Sequence, residues 1–181
     1  MTISVSYILL VPSLIFFLSV VTSITPDVED GVGGRLSWKQ CTWTVRHAKD
    51  SGKICECKFR VEHPNSSLHV VYSGVNRVYC NGYHQCCSRW YLKFNDTECN
   101  NPGPIDLVVF KRYTDDSPYR TRQAEGYCNN MTRGEVTVEL HVGKCLGWHK
   151  RHDYDYDNAN TGWFEDSPSR ILIREVYPYQ K

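Results

Sequence analysis

This sequence predicts an all-β fold, an antiparallel β-sandwich or jelly roll, and three observations predict it. Apolar residues recur with a period of two rather than 3.6. Turn-forming clusters break the chain at short, regular intervals. Nine cysteines crowd between Cys41 and Cys145, the usage of a chain that matures in an oxidising compartment. Nine in 181 residues is below the roughly 8–10% at which bridges replace a hydrophobic core. The bridges therefore reinforce a core that the strands already supply.

The elements follow in order. Residues 1–23 read as a cleaved signal peptide: Ile8 to Val21 is uncharged, apolar and shorter than the ~20 residues of a spanning helix, and Val21-Thr22-Ser23 places small residues where signal peptidase cuts. The first cationic side chain is Arg35, so a basic n-region is missing and an uncleaved anchor is the alternative. Residues 24–36 form a linker, and 37–181 a single β-sandwich domain. Cys41, Trp43 and Val45 alternate with polar residues, as do Cys57, Phe59 and Val61 against Lys58, Arg60 and Glu62. The pattern returns at Leu68, Val70 and Tyr72, at Trp90, Leu92 and Phe94, and at Val136, Val138, Leu140 and Val142 against Glu135, Thr137, Glu139 and His141. Each is a strand with one wet face. Leu107 to Phe110 is a continuous apolar run and predicts a strand buried on both faces, and Arg170 to Val176 is the last strand. His63–Ser67, Asn81-Gly82, Asn100–Pro104, Asp115–Pro118 and Asp166–Ser169 are the turns, and no window makes a helix.

Charge is balanced, 21 basic against 20 acidic residues, and no basic run suggests nucleic acid or, after signal cleavage, a membrane contact. Cys41 and Cys57 share the apolar face of their strands and suit an inter-strand staple, and Cys55 projects the same way. Cys86 and Cys87 are adjacent and face opposite sides, which sends them to different bridges. A two-residue Asn81-Gly82 hairpin would set Cys80 against Tyr83, whereas a longer loop would set it against Cys86; the sequence leaves both open. Eight of the nine cysteines can pair, in many connectivities, and the ninth must stay free or bridge chains. Sequons at Asn65, Asn95 and Asn130 fall in turns or on wet faces, where a glycan is tolerated.

No catalytic, cofactor-binding or metal-binding set emerges. Asp153, Asp155 and Asp157 alternate like calcium ligands, but Asn158 stands where the loop needs Gly and Phe164 where it needs a bidentate Glu. The stretch reads as a solvated acidic loop, with Tyr154 and Tyr156 placed for sulfation. His149 and His152 lack partners at zinc spacing. No nucleophile elbow or phosphate loop is present, and His141, on a polar face, reads as a solvated side chain. A secreted hydrolase and a glycan-binding module using Trp148 or Trp163 are two readings the residues leave open.

Tyr72-Ser-Gly74, Cys86-Cys-Ser-Arg-Trp-Tyr91, Phe94-Asn95, Glu98-Cys99, Gly103-Pro-Ile105, Gly126-Tyr-Cys128, Val142-Gly-Lys-Cys145, Thr161-Gly-Trp163 and Ser169-Arg-Ile-Leu-Ile173 follow one another in order. Together they resemble the C-terminal domain of the collagen triple helix repeat-containing protein family, from about Trp38 to Val176. The resemblance implies a secreted, glycosylated, matrix-associated protein folded like the trimeric globular heads of complement and tumour necrosis factor proteins. It also implies a part in Wnt signalling through Frizzled and Ror receptors and in cell migration. Two features depart from it: Ile24 to Leu36 has no Gly-X-Y period for a triple helix, and Cys55 is additional, so the resemblance implies that Cys41, Cys57, Cys80, Cys86, Cys87, Cys99, Cys128 and Cys145 pair and that Cys55 is free or bridges chains. Leu146 to Asn160 is also longer and more charged than the resemblance leads one to expect. The expectation is a non-enzymatic extracellular binding module without a cofactor. It would be a homotrimer, with surplus aromatics such as Trp90, Tyr91, Trp148, Trp163 and Tyr177 lining the interface.

Overall fold

Alternating strands long enough to bury one face each need a second sheet to bury it against, and the computed structural model shows that arrangement. It describes residues 37–44, 46–80, 85–112, 118–147, 158–162 and 167–177. The chain divides into two units, Met1–Gly33, outside the described residues, and Gly34–Lys181, which holds every described strand. These are β1 (Trp38–Trp43), β2 (His47–Ala48), β3 (Gly52–Val61), β4 (Ser66–Tyr79), β5 (Gln85–Phe94), β6 (Thr97–Glu98), β7 (Asp106–Arg112), β8 (Arg120–Met131), β9 (Gly134–Lys144), β10 (Asn158–Thr161) and β11 (Ser169–Val176).

The first sheet has six strands, in the order β1-β11-β4-β10-β2, with β8 on the other edge of β4. The long β4 carries β11 along its first half and β10 along its second. The second sheet has five strands, β3-β9-β5-β6, with β7 also on β5. All pairings are antiparallel, and the fold is an antiparallel β-sandwich. Its core is made by the inward residues of both sheets: Leu68, Val70, Tyr72, Ile171 and Ile173 from the first, and Val61, Trp90, Leu92, Val138, Leu140 and Val142 from the second, all excluded from solvent.

A polar knot lies inside this core. The Trp90 indole Nε1 donates to Thr161 Oγ1 at 2.7 Å, tying the sheets together. The Tyr72 hydroxyl meets the Asn76 side-chain amide at 3.0 Å. Burial, eased by hydrogen bonds from Asn76 and Ser169, pushes the Tyr72 phenol up to about 12, so the hydroxyl keeps its proton. Gly74 is what makes room: a Cβ there would stand 2.5 Å from the Tyr72 hydroxyl and 2.6 Å from Ser169 Oγ.

Several expectations change. Leu107 to Phe110 is not buried on both faces: Leu107 and Val109 point inward, but Val108 and Phe110 are 52% and 50% exposed. Among the described residues β7 pairs only with β5, and no layer covers its outer side. Trp90 fills the core rather than an interface, and Tyr177 stands edge-on to His63 with centroids 4.2 Å apart. Strand β8 was not read from the sequence, because its inward positions are Arg122, Ala124, Gly126 and Cys128, too small or too polar to register as an apolar stripe. Strand β10 begins at Asn158, inside the stretch read as one acidic loop.

Candidate interaction surface

The outer face of the second sheet is built by the polar positions of β3, β9 and β5 and by the edge strand β7. Alternation brings Glu56, Lys58, Arg60, Glu135, Thr137, Glu139, His141, Arg89 and Tyr91 to it, and cross-strand register sets Arg89 opposite Val108 and Tyr91 opposite both His141 and Asp106. Arg89 lies between two carboxylates. Its Nη1 and Nη2 donate to Glu98 at 3.1 and 2.5 Å, and its Nε pairs with Asp106. Its guanidinium covers the Tyr91 ring at 4.6 Å. A planar fork of donors suits this double role, which an ammonium cannot fill.

The row continues through His141, whose ring lies 5.5 Å from that of Tyr91 and meets Glu139 at 3.0 Å. Lys53 reaches Glu139 at 3.1 Å and Glu56 at 2.7 Å. Glu139 is held below its ordinary 4.5: burial pushes the carboxyl up, but hydrogen bonds from His141 and Lys53 outweigh it. Lys53 is pushed up, chiefly by the Glu56 and Glu139 hydrogen bonds. His141 is thus not a solvated side chain; it is half-buried within an ion network. Beside this row lie Val108, Phe110 and Leu146, the last 76% exposed, around the Cys87–Cys145 bridge.

The remaining bridges join Cys41 to Cys57, Cys80 to Cys86 and Cys99 to Cys128. Cys80 thus has Cys86 as its partner, while the Asn81-Gly82 turn lies outside the described residues. Cys55 is a free thiol packed against the core. It sits opposite Leu140, just after an irregularity of register in β3. Burial and the neighbouring Glu56 push it up to about 12.

Asn65, Asn95 and Asn130 are exposed and all have left-handed backbone, with φ of 62°, 48° and 61°. They gather at one end of the sandwich, where β3 turns into β4, β5 into β6 and β8 into β9. Asn65 N donates to Met131 O at 2.8 Å and Asn95 N to Thr137 O at 2.9 Å. Glu175, fully buried, closes the same end by accepting from Glu62 N, His63 N and Ser66 Oγ. Spacing alone could not reveal this shared end, since it follows from strand direction.

The calcium-like Asp153, Asp155 and Asp157, the tyrosines Tyr154 and Tyr156, the zinc-like His149 and His152, and Trp148 and Trp163 lie outside the described residues. Among those described, no cluster of three or more His, Cys, Asp or Glu stands at metal-binding distance, and no helix is long and apolar enough to cross a membrane.

A family model described as the C-terminal domain of CTHRC1 matches residues 35–173. Among solved structures, the CBM36-1 domain of a multidomain xylanase from the hindgut metagenome of Trinervitermes trinervoides aligns at 13% identity over 77% of this chain and 96% of that one, with a TM-score of 0.29. Eiger TNF from S. frugiperda aligns at 12% identity over 80% and 88%, also with a TM-score of 0.29.

Proposed function

The chain belongs to the family of CTHRC1 C-terminal domains, and from that premise we propose that it is a secreted, non-catalytic module that assembles extracellular signalling complexes. The observation that carries this reading is the extent of the family match, residues 35–173, which takes in every described strand but the last residues of β11. The disulfide-stapled sandwich supports it, because such bridges persist in oxidising surroundings. So does the outer face of the second sheet, where Tyr91 of the Cys86–Tyr91 motif adjoins exposed Val108 and Phe110. An apolar centre with an aromatic neighbour is the composition of a protein-binding patch.

The partners proposed are Wnt ligands with Frizzled and Ror receptors, and the consequences are altered cell migration and matrix deposition. The module acts as a homotrimer that holds several members of one complex and raises their effective concentration. The experiment is binding of the purified secreted chain to Frizzled and Ror ectodomains, with and without Wnt, for the parent and for Val108→Glu/Phe110→Glu. Saturable binding to the parent, lost in the variant, is expected. Absence of binding to either receptor in the presence of Wnt overturns the reading.

A further inference from the structure

At the end of the sandwich opposite the sequons, arginines collect without carboxylate partners among the described residues. Asn160 sits between two of them: it is the cross-strand partner of Arg77, and its Oδ1 accepts from Arg46 Nη2 at 3.3 Å. Arg46, Ala48, Arg77, Tyr79, Ala159 and Asn160 line an open groove of about 380 Å³. The Arg77 guanidinium is held between two rings, 5.2 Å from the centroid of Tyr79 and 4.8 Å from that of Tyr119, with Nη1 donating to the Tyr119 hydroxyl at 3.3 Å. Arg120 follows Tyr119 and pairs in register with Asn76, and Arg122 with Gly74. The Nε atoms of Arg77 and Arg122 are buried with no acceptor.

This differs from the second sheet, where Arg89, Lys53, Lys58 and Arg60 each meet a carboxylate. Among the described residues no carboxylate forms an ion pair with Arg46, Arg77, Arg120 or Arg122. The one acid of this end with a described role, Asp50, is engaged by Ala159 N at 2.7 Å. Stacking on aromatic rings fixes a guanidinium with its fork of donors outward, and that fork matches the oxygens of an oxyanion. The groove is open, which suits a linear chain crossing it better than an enclosed small anion; Arg120, in register with inward-facing Asn76, lies at the same end but on the opposite face of the sheet from Arg77. Tyr79, exposed in the groove, adds a ring on which a sugar face can lie.

We propose that this groove binds a sulfated polysaccharide, with sulfates on Arg46 and Arg77 and a sugar against Tyr79. The site is independent of any receptor contact on the second sheet. The test is binding of a heparin oligosaccharide of defined length to the full secreted chain by surface plasmon resonance, across a range of salt. Binding should persist at about 0.15 M salt. Arg46→Gln, at an exposed residue of the groove, should weaken it by about threefold or more and lower the slope of log affinity against log salt by roughly one. Arg60→Gln, an equal change of charge at the sequon end, should leave it unchanged, and de-sulfation of the probe should abolish it. Equal losses in the two variants, no binding at that salt, or tighter binding of a sulfotyrosine peptide of matched charge would each overturn the proposal.

Discussion

Two residues show how a side chain's surroundings set its chemistry. Cys55 differs from the other cysteines only by where the backbone puts it: half-buried beside Glu56, its thiol is pushed up to about 12, and the thiolate is the reactive form. At pH 8 the folded protein should react with iodoacetamide roughly a thousandfold more slowly than free cysteine, and at the ordinary rate in denaturant. Rapid labelling of native protein, or a covalent dimer on a non-reducing gel, would contradict this. Arg89 was legible in the sequence only as part of a motif. Its place is explained by Glu98 and Asp106, which neutralise a side chain almost without solvent contact. Arg89→Ala should cost roughly 2–3 kcal/mol, the lower end for a broken buried pair, since both acids keep about a third of their side-chain surface, 32% and 34%, in water. Arg89→Lys should recover only part of it, as urea denaturation would measure.

At the scale of elements, the pairing of β3 with β9 makes stability depend on acid. A carboxylate whose folded value is depressed contributes stability that is present above its unfolded value and lost as pH falls through the folded one. Glu139 is such a group, so part of the folding free energy should disappear as pH drops below about 4.5. Glu139→Gln should flatten that limb of a stability-against-pH curve while lowering stability at neutral pH. An unchanged acid limb would assign the loss to other carboxylates. Packing of β4 against β11 gives a second test. Because a Cβ on Gly74 collides with the Tyr72 hydroxyl and Ser169, Gly74→Ala should destabilise by about 1–3 kcal/mol. Gly134→Ala, at a glycine with open space around it but a φ of 135°, tests the backbone alone. Gly74 and Gly126, whose Cβ would meet Ile105 at 3.0 Å, thereby account for two of the motifs in the sequence: they are contact points of packing, not of chemistry.

At the scale of the molecule, the two ends of the sandwich are unlike. One carries all three sequons, Ser37, whose carbonyl accepts from Glu175 N at 2.9 Å, and Tyr177; the other carries arginines that meet no carboxylate among the described residues. Glycans on Asn65, Asn95 and Asn130 would leave both the arginine end and the Val108–Phe110 edge open. Removing the sequons together by Asn→Gln is therefore expected to change the mass of the chain expressed in animal cells and leave heparin and receptor binding intact; a loss of either binding would place that partner at the sequon end. Oligomeric state is checked by light scattering: a trimer in the parent that falls to monomer in Val108→Glu/Phe110→Glu assigns the edge strand to self-association, and a parent that is monomeric at tens of micromolar, about the range of weak assemblies, removes the bridging mechanism.

What the sequence determined by itself was whatever a period of two can encode. Leu68, Val70, Tyr72, Trp90, Leu92, Val138 and Leu140 alternate with polar neighbours, and a strand's geometry sends them all to one face, so the class of fold and most of the core were present in local order. Tertiary structure decided what alternation cannot carry. Whether Val108 and Phe110 are covered depends on a strand or layer that lies elsewhere in the chain. Whether Cys80 reaches Cys86 depends on the length of a turn, and whether Arg122, Gly126 and Cys128 form a strand depends on the partner β4 rather than on their own polarity. The gathering of Arg46, Arg77 and Arg120 at one end comes from strand direction and register, which bring distant segments within hydrogen-bond reach.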